Sequence, residues 1–277
     1  MYFTFNDATL HAHEIVPEMD ASRLIATLLC LCLTAASWGQ SADAVKKDDK
    51  VGPKPNAMFN IILHGNVDWP MGDMADRFGQ NYRMGLTLQY KSKANIVLGL
   101  KGELITGNKI HQDSLMCNLL TSQGGVIAQV GDVLNVGTFE RGYLVGATAG
   151  KIFPLNKKNP NSGIITTVSA GFMQHKIKLF DRDLSFPQLR DGYTKGYDRL
   201  SNGAYAEGYL GYIYYAKNKL INFTAGVDWV WGFTQGRRDY LYDVARADHA
   251  RRNDILLGFK AGWIIPIYKK ITEDTFY

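Results

Sequence analysis

The chain has 277 residues, is 46% hydrophobic and carries 31 lysines and arginines against 26 aspartates and glutamates. A net charge of +5, with basic residues interleaved among acids, offers no basic face for nucleic acid. After the N-terminal region no apolar run approaches the roughly 20 residues that a transmembrane helix needs, whereas a mean hydropathy of −0.16 suits strands whose apolar and polar residues alternate.

Residues 1–18 are polar and acidic. Met19-Asp-Ala-Ser-Arg23, followed by the apolar run Leu24–Leu33, reads as a secretory signal, with Ser37 and Gly39 at the −3 and −1 positions of a cleavage site before Gln40. This divides the chain into an extension and cleaved signal over 1–39, with translation starting at Met19, a flexible charged leader over 40–56, and a β domain over 57–277. Cys30 and Cys32 leave with the signal, and the bulky Leu29 and Leu31 before them argue against lipidation. Cys117 is then the one thiol of the mature chain, which forms no internal disulfide.

From Met58 onward a period of two predicts eight strands. They cover Met58–Trp69, Tyr82–Lys91, Ile96–Ile105, Phe139–Phe153, Ile164–Lys176, Asn202–Tyr215, Ile221–Phe233 and Asp254–Tyr268. Each has an apolar face and a polar or glycine-bearing one. In the seventh, Phe223, Ala225, Val227, Trp229, Trp231 and Phe233 oppose Asn222, Thr224, Gly226, Asp228 and Gly232. The connections alternate in length. Lys91–Asn95, Asn156–Ser162 and Ala216–Lys219 are short; those near Asp68–Asn81, Gly107–Gly137, Phe180–Ser201 and Gly236–Asn253 are long. Short turns on one side and long loops on the other predict an eight-stranded antiparallel transmembrane up-and-down β-barrel, all-β, with long extracellular loops.

Several motifs carry a resemblance. Lys260-Ala-Gly262-Trp-Ile-Ile265-Pro-Ile267-Tyr268 resembles the C-terminal signal that the barrel assembly machinery reads, although Pro266 and the tail Lys269–Tyr277 depart from its terminal form. The Gln40 start, Trp69-Pro-Met-Gly-Asp-Met-Ala-Asp-Arg-Phe-Gly-Gln-Asn-Tyr82, Gly171-Phe-Met-Gln-His-Lys-Ile177 and Gly196-Tyr-Asp-Arg-Leu-Ser-Asn-Gly203 are similar to uncharacterised outer-membrane β-barrel proteins of Bacteroidota. The resemblance implies a fold and an outer-membrane location reached by export. It implies no catalytic residue and no cofactor.

The inward positions Arg83, Lys101, Glu103, Glu140, Glu207, Asp228 and Lys260 carry both signs, which predicts a structural ion network in a lumen too narrow for a porin path. Tyr90, Phe153, Tyr214 and Tyr268, beside Lys91, Lys157, Lys217 and Lys269, predict an aromatic belt at the short-turn interface; Trp69, Tyr143, Trp231 and Phe233 predict the opposite belt. A lipid-modifying enzyme is less favoured, because His64, His111, His175 and His249 have no serine and acid at a recognisable spacing, and Asp181-Arg-Asp183 and Arg237-Arg-Asp239 read as loop ion pairs. His111, Asp113 and Cys117 read as ordinary loop residues rather than metal ligands. Eight strands are also compatible with a narrow channel and with a soluble lipocalin-like carrier, whose apolar faces would turn inward.

The apolar stretches Ser114–Leu120 and Gly124–Ala128 of the second long loop call for cover, either on the barrel mouth or on another envelope protein; the latter would meet loops 107–137 and 180–201. Basic loop residues suit lipopolysaccharide phosphates. The expected function is a plugged scaffold in contact with outer-membrane lipid, acting through its loops.

Overall fold

A computed structural model describes residues 55–267 apart from 113, 157, 181–185, 191 and 217–220. The signal segment with Met19, most of the leader, Tyr268 and 269–277 lie outside the described residues, as do Lys157, Lys217 and the Asp181-Arg-Asp183 motif.

Among the described residues twelve strands form in chain order: β1 Met58–Gly72, β2 Asn81–Lys91, β3 Ile96–Gly107, β4 Val126–Ile127, β5 Val133–Leu134, β6 Gly137–Pro154, β7 Gly163–Phe180, β8 Ser201–Tyr215, β9 Asn222–Gly236, β10 Arg238–Leu241, β11 Arg246–Asp248 and β12 Arg251–Ile267. Eight of them close a barrel in the order β1-β12-β9-β8-β7-β6-β3-β2, while β4–β5 and β10–β11 are separate two-stranded hairpins. Every barrel pair is antiparallel, and β1 meets β12 through a continuous ladder from Phe59 opposite Ile267 to Gly72 opposite Asp254. Closure pairs the backbone groups that an open edge would expose, a condition for crossing lipid with strands.

Alternation in the sequence fixes which face looks out. Along β2, Tyr82, Met84, Leu88 and Tyr90 are exposed while Asn81, Arg83, Thr87, Gln89 and Lys91 are buried. Leu100, Leu104, Val145, Val168, Leu210, Trp229 and Phe259 continue the bare apolar exterior around the barrel. A soluble carrier of the lipocalin type has the reverse arrangement, so such a carrier is not this fold. The eight barrel strands run from 11 to 18 residues, at or above the roughly 9–11 that a spanning strand needs. Part of the surplus stands at the long-loop end, where Gly137–Phe139 pairs with Lys178–Phe180 past the last β3–β6 pair.

The short-turn end is tied by local bonds. Asn95 takes the left-handed conformation (φ 60°) that the β2–β3 turn requires, which asparagine tolerates better than most residues. Lys91 Nζ donates to the Asn56 carbonyl and to Asn161 Oδ1, at 3.1 and 2.9 Å, and Asn159 Nδ2 donates to the Tyr215 carbonyl at 2.8 Å.

The outward face leads to a depth-dependent prediction. Arginine at Leu100, Val227 or Ala261, near the middle of their strands, should cost about 2–4 kcal/mol of unfolding free energy in lipid vesicles, and arginine at Ile96, beside a short turn, about 0–1 kcal/mol. Equal costs in a denaturant titration would remove the case for a lipid-facing exterior.

Candidate functional site

The lumen is filled in three layers. Nearest the short turns, Met58, Ile62, Val97, Ile152, Ile165, Tyr209, Ile213, Tyr215 and Ile264 form an apolar floor. Above the floor lies a charged layer. Arg83 of β2 holds it together: Nε and Nη2 donate to the two carboxylate oxygens of Asp68 at 2.6 and 2.8 Å, Nη2 also to Asp228 at 2.5 Å, and Nη1 to Glu103 at 2.8 Å. Lys101 binds Glu103 at 2.8 Å and pairs with Glu207, and Lys260 reaches Glu103 at 3.0 Å and Glu207 at 3.6 Å. Asn66 Nδ2 donates to Asp228 at 3.0 Å, and His64 stands 3.6 Å from Glu103. Missing side chains make room for this crowd. A Cβ at Gly258 would fall on the Asp68 carboxylate, and one at Gly85 on Glu103 and His64. Between the charges and the floor remains a cavity of about 40 Å³, lined in part by His64, Lys101, Glu207 and Lys260. That is room for about three waters.

Six of the seven inward charges predicted from sequence therefore meet in one cluster. Glu140 does not join it: it sits nearer the mouth on β6, buried, and accepts only from Asn81 Nδ2 at 3.0 and 3.2 Å among the described residues. Asp68, placed inward by the pattern but outside that set, belongs in the cluster.

The third layer closes the mouth. Ile105, Leu144, Met173, Ile177, Val230 and Leu256 project inward from the strands and meet Met74 and Phe78 of the first long loop, Leu115, Met116, Val126 and Ala128 of the second, and Phe186, Leu189 and Tyr197 of the third. Of the two fates open to the Ser114–Leu120 and Gly124–Ala128 stretches, capping the barrel takes Leu115, Met116, Val126 and Ala128. Ile127, Val130, Val133 and Leu134, on and between β4 and β5, remain exposed.

A second buried polar cluster, which no local spacing announces, pins this cap to the wall. Asp254 of β12 accepts from Arg77 Nη2 at 2.6 Å, His175 Nε2 at 2.8 Å and Thr234 Oγ1 at 2.5 Å. Arg77 Nη1 also donates to Ser201 Oγ at 3.2 Å, and Phe78 packs edge-on against the His175 ring. Burial pulls the Arg77 pKa down from its ordinary value, and Asp254 opposes that. Arg77, His175 and Ser201 all fall inside the motifs that carry the resemblance, and the period of two also turns His175 inward.

This cluster holds the elements of a hydrolase without its geometry. Ser201 faces His175 across the β7–β8 register, but its hydroxyl accepts from Arg77 and from Arg252 at 3.1 Å and donates to the Arg199 carbonyl at 3.4 Å, and both residues are fully buried. A nucleophile needs its proton aimed at the base and a path for substrate. Elsewhere, His111 Nδ1 bonds the Ala75 carbonyl at 3.0 Å, while Cys117 Sγ donates to the Asp243 carbonyl at 3.4 Å; Asp113 lies outside the described residues. His249 stands 3.9 Å from Asp239, and Arg238 makes a two-pronged bond to Asp198 at 2.7 and 2.6 Å. That hydrogen bond raises the Arg238 pKa.

The belt aromatics Trp69, Tyr90, Phe153, Trp231 and Phe233 are exposed on the outer face, and Tyr143 and Tyr214 are partly so. Neighbouring rings pair with them, Phe59 with Tyr90 at 5.0 Å and Phe223 with Tyr214 at 5.4 Å between centroids. On β12, Lys260 points into the charged layer, Ile267 points out, and Gly262 and Ile265 are partly exposed.

Closed barrel, bare apolar exterior and filled polar lumen define an eight-stranded barrel of the outer-membrane type. No protein-family model matches the chain, and no curated protein matches it in sequence. Among solved structures it is similar to Neisserial surface protein A (12% identity, TM-score 0.43, covering 76% of this chain and 98% of that one), to Ail of Yersinia pestis (12%, 0.36, 75% and 98% in the complex with a heparin analogue) and to OprG of Pseudomonas aeruginosa (13%, 0.34, 76% and 98%). These likenesses carry no inference about what this chain binds.

The charged layer gives the second prediction. Arg83→Met removes the ion-pair partner of Asp68 and Asp228 and one of the three cations on Glu103, all buried, and should cost about 3–5 kcal/mol, whereas Glu140→Gln keeps its acceptor for Asn81 and should cost about 1 kcal/mol or less. Urea unfolding in detergent micelles, followed by tryptophan fluorescence, separates the two.

Proposed function

We propose that the chain is an integral barrel of the outer membrane with a closed lumen, acting through its long loops as an interaction or structural element of the envelope. The observation that carries this reading is the filled lumen: an ion cluster spans it and a cap built from three loops covers it, so the surface free for binding is outside. The long-loop end faces outward from the cell, the short turns face the periplasm, and the paired aromatics sit at the two headgroup levels. On the same reading the segment before Gln40 directs export, and Lys260, Gly262, Ile265, Ile267 and Tyr268 serve recognition by the assembly machinery.

The exposed apolar tip of the second loop, Ile127, Val130, Val133 and Leu134, together with Tyr193 of the third, is the surface offered to an envelope protein. Exposed basic residues on the loops suit lipopolysaccharide phosphates. The buried Ser201 and His175 favour no hydrolytic role, and the ion cluster favours no wide channel.

Three measurements test this on one strain. In a Cys117→Ser background, a cysteine at Val130 should react with an impermeant maleimide on intact cells, and cysteines at Lys93 or Asn159 should not. Purified protein in planar bilayers should show no large steady conductance. A photo-crosslinker at Val130 should capture an envelope protein that one at Lys93 does not. Labelling of the short turns, or a stable porin-sized conductance, would overturn the reading.

A further inference from the structure

The β10–β11 hairpin folds beside the mouth and encloses a pocket of about 250 Å³ with the bend at Arg199 and the start of β12. Arg199, Arg246 and Arg252 line it, with Asp248 and the buried Leu241. Two of the guanidiniums are anchored: Arg199 Nη2 donates to Asp243 and Arg252 Nη2 to Asp248, both at 2.6 Å. Arg246 is exposed and has no carboxylate partner among the described residues. Three arginines against Asp243 and Asp248 leave one positive charge over.

The anchored pair is also incompletely satisfied. Among the described residues Arg199 Nε, Asp243 Oδ1 and Asp248 Oδ2 are buried with no hydrogen-bond partner, and of these Arg199 and Asp248 line the pocket, a donor and an acceptor. Such groups are costly unless something fills them. Arg199 and Ala245 hold left-handed backbone conformations (φ 49° and 51°), unfavourable for residues with a Cβ, and fix the pocket's two flanking bends.

Beside the pocket, Tyr240 and Tyr242 of the same hairpin form a row with Tyr193 and Tyr197 of the third long loop. Tyr242 is 5.9 Å from Tyr240, 6.0 Å from Tyr193 and 5.5 Å from Tyr197 between ring centroids, and Tyr193, Tyr240 and Tyr242 are exposed. Tyr242 is seated in advance: its N–H donates to the Gly196 carbonyl at 3.0 Å, and its ring lies where a Cβ on Gly196 would stand.

We propose that this pocket and its tyrosine row bind an acidic saccharide, with a phosphate or carboxylate held by Arg246 and Arg199 and a sugar hydroxyl donating to Asp248 Oδ2. A guanidinium fork matches a planar or tetrahedral anion. An exposed tyrosine presents a flat apolar face with a polar rim, the complement of a sugar's C–H face and its hydroxyls. The leftover acceptor selects against a bare anion, which has no hydroxyl to give it. This goes beyond the loop-scaffold reading and does not depend on it, because the pocket's chemistry is the same whichever side of the membrane the long loops face.

The test is calorimetric titration of the purified full chain in detergent with glucose 6-phosphate, glucose and inorganic phosphate. Glucose 6-phosphate should bind about tenfold or more tightly than either of the others, and Arg246→Ala should weaken it about tenfold or more, the weight of one charge-assisted contact. Arg246 has no ion pair to lose among the described residues, so this variant should fold; Arg246→Lys, which keeps the charge and loses the fork, should fall between. Gly196→Ala, which displaces Tyr242, should weaken the sugar phosphate and leave inorganic phosphate unchanged. A competition arm separates two sources of the sugar: displacement by lipopolysaccharide micelles places it on lipid, displacement by a lipid-free acidic polysaccharide places it on free glycan, and either supports the site. Equal binding of phosphate and glucose 6-phosphate, stronger displacement by polyglutamate, binding indifferent to Arg246→Ala, or no binding of glucose 6-phosphate would each overturn the proposal.

Discussion

The Arg83 guanidinium, with three carboxylates around it, is the contact on which the interior depends. An eight-stranded barrel is too narrow to hold bulk water among its side chains, yet its inner faces must be polar where its outer faces are apolar. The polar groups therefore have to satisfy one another. Arg83 does this for Asp68 on its neighbour β1, Glu103 on its other neighbour β3, and Asp228 on β9, two strands beyond β1. Lys260 of β12 completes the set by crossing to Glu103 of β3 and Glu207 of β8. The Arg83–Asp228 pair and both Lys260 pairs join strands that share no backbone ladder. The cluster is complete only when β1 has met β12, so these charges are fully paired only in the closed sheet.

That arrangement explains how the lumen is divided. Charges at mid-height need apolar seals above and below, since water reaching them would weaken each pair. The floor is built from strand residues alone, such as Val97, Ile152 and Ile213, because the short turns have nothing to contribute. The mouth is sealed by loop residues, with Phe78 laid against His175 and Arg77 bound to Asp254. The loop end thus combines a buried half, which belongs to the barrel, and an exposed half, which is free for other partners.

The eight strands are legible in the sequence because a period of two is set by the pleat and acts on every residue. Their faces follow, as do the loops, since lysine-rich turns and long polar connections mark the two ends. Partner choice inside the lumen is less legible. Arg83, Lys101, Glu103, Glu207, Asp228 and Lys260 can be placed inward, but height along the axis depends on the stagger between strands, which local pattern does not encode, and so the pattern groups Glu140 with charges that lie deeper. The Arg77–Asp254–His175 cluster is out of reach for a related reason: Arg77 and His175 stand 177 and 79 residues from Asp254 in sequence. The β10–β11 pocket is hidden in what reads as an alternation of arginine and aspartate, because which arginine lacks a carboxylate is decided only by the fold.

The second long loop enters the cap twice. Val126 and Ala128 are buried on its way out to the tip, Val136 packs against the same apolar layer on the way back, and Val130 between them is among the most exposed residues described. A peptide bond cut at that tip leaves both new ends held by buried side chains. Proteolysis there would sever the chain's covalent continuity while buried side chains on both sides of the cut stayed in the cap, so an intact lumen and an intact backbone are separable properties of this protein.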